Sequence, residues 1–246
     1  MEPIYRQTFS LTDQDVDCFC KLKLSSLLFY AQEVAGKHSA LLGADYDTLV
    51  QKKLFWAVTR HKVQITRLPA LGETITVETW PMPTTRVAFP RAMAAYDVQG
   101  NELFRSISIW VLMDLENRAM VLPGQSGVDV GGLLTGTELS APHSIVPKAL
   151  CNSTQRTVTY SCLDRNGHMN NTRYLDWVAD LLPSVFHKDH TPKELLICYA
   201  SEALETQEIH LDWELNQEGI LQIDAHREST DVSDKKHRVF SAQVLY

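Results

Sequence analysis

The order of elements along this 246-residue chain occurs twice, and that repetition limits the fold more than any single motif does. In the first copy Ile4 to Leu11 alternates like a strand, and the polar turn TDQDVDCF follows. Leu24, Leu27, Leu28, Ala31, Val34 and Ala35 then fall at helical spacing, with Gly36 or Gly43 as the stop. Phe55–Thr66, Thr74–Trp80, Arg91–Tyr96 and Leu103–Met113 read as strands, broken by Leu68-Pro-Ala-Leu-Gly72, Pro81-Met-Pro83 and Gln99-Gly-Asn101. The second copy restarts at Thr157. Thr157–Ser161 alternates, and Tyr174, Leu175, Val178, Leu181 and Leu182 predict an apolar-faced helix from Thr172 onward. A helix followed by several strands implies α+β, with the helix packed on an antiparallel sheet.

The Gly- and Pro-rich stretch 122–152 has no periodicity and reads as a connection between the copies. The expected division is 1–123, a linker over 124–152, and 153–246. An offset of 149 (157 − 8) sets Thr8 on Thr157 and Asp15 on Asp164, and an offset of 133 (238 − 105) sets Arg105 on Arg238 and Ser108 on Ser241. On that alignment Asn166 faces Asp17, His168 faces Phe19, Asn170 faces Lys21 and Asn171 faces Leu22. One copy then looks reactive, and the other looks built to hold something apolar.

The reactive letters sit where periodicity changes, in Asp164-Arg-Asn166-Gly-His168-Met-Asn170-Asn171. A carboxylate, a carboxamide and an imidazole at i, i+2 and i+4 can supply a base, an anchor and an electrophile. The Asn pair suits a helix start, whose unpaired N–H groups stabilise a developing oxyanion. The same residue types are ordinary turn formers, so a polar loop with a capped helix is the competing reading.

Composition removes several classes of function. A formal net charge of −7 argues against nucleic-acid binding, which needs a basic surface. No apolar run approaches the ~18–20 residues of a membrane span. The start MEPIYRQTFSLTD has neither a basic nor an apolar leader region. The five cysteines form no CxxC pair, and Asp13, Asp15 and Asp17 lack the glycine of a calcium loop. No metal or cofactor is expected, and a reducing cytoplasm is the expected setting.

Several separated stretches together resemble the acyl-ACP thioesterases, the double hotdog enzymes that release fatty acids from acyl carrier protein. They are Phe55-Trp56-Ala-Val-Thr59-Arg60 with Val63, Arg67, Pro69, Gly72 and Thr79-Trp80; Ser106-Ile-Ser-Ile-Trp110-Val-Leu-Met113 with Pro123; and Asp164-x-Asn166-x-His168-x-Asn170-Asn171-x-x-Tyr174. The family's Tyr-x-x-Glu-Cys falls on Tyr199-Ala-Ser-Glu202-Ala203, where alanine replaces the cysteine and removes a nucleophilic thiol. The resemblance implies a tandem hotdog, two long helices each wrapped by an antiparallel sheet. It implies Asp164, Asn166, His168 and Glu202 as catalytic residues, with Glu202 and Asp164 holding the attacking water. Asn170, Asn171 and Tyr174 would shape the site, with backbone N–H groups near the Asn pair as the oxyanion donors. Phe19, Leu22 and Trp56 would line the acyl pocket.

The implied partner is acyl carrier protein, an acidic protein docked by basic residues among Lys21, Lys23, Arg86, Arg91 and Arg173, and a homodimer stays open. Family members from plants begin with a transit peptide that this chain lacks, so a bacterial, cytoplasmic type is expected. The rival readings are an acyl-CoA thioesterase, a hydroxyacyl-ACP dehydratase and a non-catalytic acyl-binding protein. The dehydratase would have a Gly-Pro after its histidine, which His168-Met-Asn does not supply.

Overall fold

The computed structural model describes residues 3–135, 139–228 and 236–246. The chain divides into two compact units, Met1–Pro142 and His143–Tyr246.

Unit one contains β1 (Tyr5–Ser10), α1 (Leu24–Leu41), α2 (Tyr46–Gln51), β2 (Leu54–Ile65), β3 (Thr74–Pro81), β4 (Phe89–Tyr96), β5 (Glu102–Asp114), β6 (Met120–Val121) and α3 (Pro123–Ser126). Its strands pair antiparallel in the order β1-β3-β4-β5-β2, with β6 on β5. Helix α1 packs on β1 and β3. Leu27, Leu28, Ala31, Val34 and Ala35 are buried, as their spacing requires, and each large apolar side chain so buried contributes roughly 1.5–3 kcal/mol. The helix runs through Gly36 and stops before Gly43, which takes a left-handed φ of 71°. The connection after α3 lies against this unit: Leu133 N–H bonds Pro81 O at 2.9 Å, and a Cβ on Gly132 would come within 2.7 Å of the Pro83 backbone.

Arg91 corrects one expectation. It is not a surface cation but 9% exposed on β4, where Nη1 reaches His38 Nδ1 at 3.2 Å and Thr79 Oγ1 at 3.3 Å. Burial pulls its pKa down to about 10, so it stays charged, but not where a partner protein could meet it. The reason is that β4 is buried on both faces, so either parity turns a side chain inward.

Unit two contains β7 (Asn152–Thr157), a 3-10 turn at Tyr160–Cys162, α4 (Tyr174–Ala179), α5 (Ser184–Asp189), β8 (Glu194–Tyr199), β9 (Glu208–Leu215), β10 (Ile220–Glu228) and β11 (Lys236–Leu245). The antiparallel order β7-β9-β10-β11-β8 repeats that of β1-β3-β4-β5-β2. Two predicted elements differ. The strand placed at Thr157–Ser161 ends at Thr157, because the Thr159 hydroxyl bonds locally to Ser161 Oγ (3.2 Å) and Cys162 Sγ (3.5 Å) as the chain turns. The second helix is not long. Six residues form α4, and Pro183 stops the pattern at Leu182 before α5 begins.

Strand register replaces the sequence alignment of the copies. β1 meets β3 as Tyr5 with Thr79, and β7 meets β9 as Asn152 with Trp213, so the offsets are 147 (152 − 5) and 134 (213 − 79). Asp164 therefore corresponds to Asp17, Asn166 to Phe19, His168 to Lys21 and Asn170 to Lys23. Following the ladders onward sets Arg105, opposite Ala94, on Ser241, opposite Asp224, an offset of 136 (241 − 105). The shared letters at offsets 149 and 133 were coincidental.

Thr206 occupies the position of Gly72, and both are left-handed, at φ 68° and 81°. A β-branched residue there is strained. Thr206→Gly should raise the unfolding free energy by about 1 kcal/mol, and Gly72→Thr should lower it by at least as much. Urea unfolding of the two variants checks both signs.

Candidate active site

The turn between the 3-10 segment and α4 is closed by Asp164. Its Oδ1 accepts the Asn166 N–H at 2.8 Å and the His168 N–H at 3.3 Å, while its own N–H bonds His168 O at 2.8 Å. Gly167 N–H bonds Asp164 O at 3.0 Å, with Gly167 left-handed at φ 75°, which glycine adopts without cost. The turn thus needs a short side-chain acceptor at 164 and a left-handed residue at 167, and the sequence has an aspartate and a glycine there.

From this turn the chain pairs with the segment joining β8 to β9. Met169 N–H bonds Ala203 O at 2.8 Å, and His168 bridges Leu204 antiparallel. Glu202 lies in that break between strands, so the parity of Ile209 and Leu211 does not fix its direction. The pairing carries His168 Nε2 to 3.2 Å from Glu202 Oε2. The imidazole is 14% exposed and the carboxylate 44%, so the ring is sheltered while water reaches the acid. An imidazole and a carboxylate at this separation are in direct contact, and a water seated beside the pair can be oriented by the one and deprotonated by the other.

The other predicted residues divide into groups. Asn166 is exposed at the tip of the turn, its Nδ2 3.5 Å from Asp164 Oδ2. Asn170 acts through its side chain, with Oδ1 accepting from Thr172 N and Oγ1, each at 2.9 Å, two residues ahead of the helix proper. Its own N–H is spent on Cys162 O at 2.8 Å, which removes it from the expected oxyanion donors. Asn171 offers its carbonyl to the Tyr199 hydroxyl at 2.9 Å. Tyr174 is buried, edge-on to Tyr199 and Phe240, and its hydroxyl takes the Ala203 N–H. Burial chiefly, with Asp164 and Glu202 adding to it, holds the Tyr174 phenol protonated well above its usual range. Burial does the same for Tyr199.

Unit one holds the three residues expected to line an acyl pocket. Leu22 is buried and bonds Pro69 O through its N–H at 2.9 Å, and Phe19 is half-buried. Trp56 instead belongs to the cluster of Ala44, Leu49, Leu54, Phe89, Leu112 and Val130, with Nε1 on Ala44 O at 3.0 Å. Ala203 is fully buried, and among the described residues no cluster of side chains could hold a metal ion.

Sequence reading missed Tyr199 as a brace, and it missed Arg227 and Gln207. Arg227 Nη1 donates to Glu202 O at 2.7 Å and to Gln207 Oε1 at 3.1 Å. A signal existed: Leu221, Ile223 and Ala225 are apolar at alternate positions, and Arg227 is the next in that series.

Two family descriptions match the chain, acyl-ACP thioesterase N-terminal domain over residues 2–122 and acyl-ACP thioesterase C-terminal domain over 147–241. A palmitoyl-acyl carrier protein thioesterase of Gossypium hirsutum is 26% identical over 81% of this chain and 52% of its own length. A dodecanoyl-[acyl-carrier-protein] hydrolase of Cinnamomum camphora is 24% identical over 81% of this chain and 56% of its own. Both relatives are chloroplastic, and the chain spans about half the length of the curated relatives it matches. Among solved structures, an acyl-ACP thioesterase from Bacteroides thetaiotaomicron superposes with a TM-score of 0.87 at 22% identity, covering 99% of this chain and 97% of that one. The 12:0-ACP thioesterase from Umbellularia californica superposes at 0.82 with 19% identity, covering 100% and 97%. The fold is the hotdog, present twice.

The turn gives Asp164 a structural part separable from its charge. Asp164→Ala removes the acceptor of two backbone N–H groups and should cost about 1–2 kcal/mol of stability, whereas Asp164→Asn keeps an acceptor and should cost less than half of that. Unfolding followed by tryptophan fluorescence distinguishes the two.

Proposed function

The chain belongs to the acyl-ACP thioesterase family, and from that premise we propose that it hydrolyses the thioester of acyl-[acyl carrier protein] to release a free fatty acid. The observation that carries this reading is the His168–Glu202 pair, 3.2 Å apart and open to water on the carboxylate side. Glu202 takes a proton from a water that His168 orients. The water oxygen bonds to the thioester carbon, the C–S bond breaks, and the proton passes to the departing sulfur. Asn166 steadies the acyl oxygen from the tip of its turn, and the Asn171 N–H is the oxyanion donor left once that of Asn170 is spent. A placed general base contributes ~10²–10⁴ in rate and one oxyanion donor ~10²–10³, so no covalent intermediate is required. Direct attack by Asp164 is the weaker route, because its Oδ1 already accepts two N–H groups.

Phe19, Leu22 and Trp56 are kept as the acyl-chain residues of unit one in this proposal. With Arg91 buried, carrier docking falls to exposed Arg86 and Arg173, with Lys21 and Lys23. A bacterial-type cytoplasmic setting and a homodimer belong to the same proposal. None of the five cysteines forms a disulfide, which suits a reducing compartment. No described helix is long and apolar enough to cross a membrane.

Purified protein incubated with acyl carrier protein loaded with a series of acyl chains should release free fatty acid. Glu202→Gln and His168→Ala should each lower kcat by about 100-fold or more while the loaded carrier still binds. Parental release by Glu202→Gln would refute the assignment. Separately, Arg86→Glu should raise KM for the loaded carrier several-fold with kcat unchanged, the loss growing smaller in high salt.

A further inference from the structure

We propose that Arg227, together with Gln207, is a positioning device for Glu202, fixing the carboxylate in the place where it meets His168 and water. The proposal rests on Glu202 being the general base of the reaction above.

The inner positions of β10 explain how the arginine gets there. Leu221, Ile223 and Ala225 are fully buried at alternate residues, and Arg227 follows in series at the strand end. A cation at a position with that pattern needs partners for its donors. Arg227 finds them in the chain around Glu202: Nη1 donates to Glu202 O at 2.7 Å and to Gln207 Oε1 at 3.1 Å. Gln207 Oε1 also accepts the Leu204 N–H at 3.0 Å, so one carboxamide oxygen joins the arginine to the far side of the loop. Ala203 between them is held by Met169 N–H at 2.8 Å and by the Tyr174 hydroxyl. Glu202 cannot move its main chain without breaking these bonds together.

Unit one has the same brace made of different charges, which is an independent argument. Glu73 stands in the position of Gln207 (207 − 73 = 134) and Ala70 in that of Leu204, and Ala70 N–H bonds Glu73 Oε1 at 2.8 Å. There Arg67 grips Glu73 with bonds of 2.7 and 2.8 Å. Asp97 holds the position of Arg227 (227 − 97 = 130), 3.9 Å from Arg67. The residue in the place of Glu202 is Leu68 (202 − 68 = 134). Two carboxylates in the brace are harmless beside a leucine. Beside Glu202 they would repel its carboxylate from the place it shares with His168. In unit two both have gone, replaced by a carboxamide and a guanidinium. The brace changed character in the unit that holds the reacting carboxylate.

The test uses Arg227→Met and Gln207→Met in the full chain, alone and combined with Glu202→Gln, with acyl carrier protein thioesters as substrate. Arg227→Met should lower kcat by about tenfold or more, since small misplacements of a catalytic group are that costly. KM should stay within about twofold, because the brace touches the base and not the bound ground state. In the Glu202→Gln background the same change should cost nothing further, since there is no base left to place. The proposal is overturned if Arg227→Met leaves kcat at the parental value, or if its loss recurs in full in the Glu202→Gln background, as a merely structural residue would give. Should Arg227→Met not fold, Gln207→Met removes only a neutral link and is judged by the same two comparisons. Parental turnover by Glu202→Gln itself refutes instead the functional reading beneath, and so separates the two failures.

Discussion

The hydrogen bond from Met169 N–H to Ala203 O, 2.8 Å long, decides the geometry of the whole site. It joins a turn to a break between strands, two pieces of chain with little regular structure of their own. His168 precedes Met169 and Glu202 precedes Ala203, so antiparallel pairing at this point brings the imidazole to the carboxylate across 34 residues of sequence (202 − 168 = 34). The energy of one such bond is about 1 kcal/mol net, too little to define a site alone. Its worth lies in what closes it on both sides: the Asp164 turn on one, and the Arg227–Gln207 brace on the other.

The first copy of the fold was legible because its strands alternate and its helix keeps one apolar stripe, with each predicted run falling within a few residues of β1 to β5 and α1. The second copy was less legible for identifiable reasons. Apolar spacing at Leu181 and Leu182 continued the pattern past Ala179, where α4 ends, since periodicity registers burial rather than backbone hydrogen bonding. Arg91 was read as a surface charge because most arginines are, and a strand covered on both faces gives no alternation to say otherwise. The alignment of the copies slipped by two residues at the turn because it followed letters. Letters in a diverged duplication carry less information than strand register, which two independent ladders fix.

At the site, the residue types in the turn pointed to chemistry and the resemblance pointed to Glu202, while the contacts that hold Glu202 in place were not legible. Nothing local to Glu202 says that Arg227 will hold its carbonyl, because that contact depends on the order of strands. Long-range polar contacts of this kind are the part of a site that a one-dimensional reading leaves out. The apolar series ending in Arg227 was nonetheless present as a local inconsistency, a charge where the pattern asked for none. Such a break is where a fold gives up stability for positioning.

Register also separates what in the reactive turn belongs to the fold from what was added to it. In unit one Asp17 Oδ1 accepts the N–H groups of Phe19 and Lys21, each at 2.9 Å, and Asp17 N–H bonds Lys21 O at 2.8 Å. Leu22 N–H bonds Pro69 O at 2.9 Å, as Met169 bonds Ala203, and Cys20 takes the left-handed place of Gly167 with φ 60°. The aspartate and the left-handed residue therefore occur in the copy that lacks the imidazole and the carboxylate, so both are requirements of the turn before they are anything else. What distinguishes unit two is three replacements on that common frame: Asn166 for Phe19, His168 for Lys21, and Glu202 for Leu68. A motif written as Asp-x-Asn-x-His thus mixes a folding signal with a chemical one. Its first letter would be kept even in a copy with no chemistry, and in the proposed mechanism the burden of the chemistry falls on His168 and Glu202, the two side chains that the turn has no structural need for.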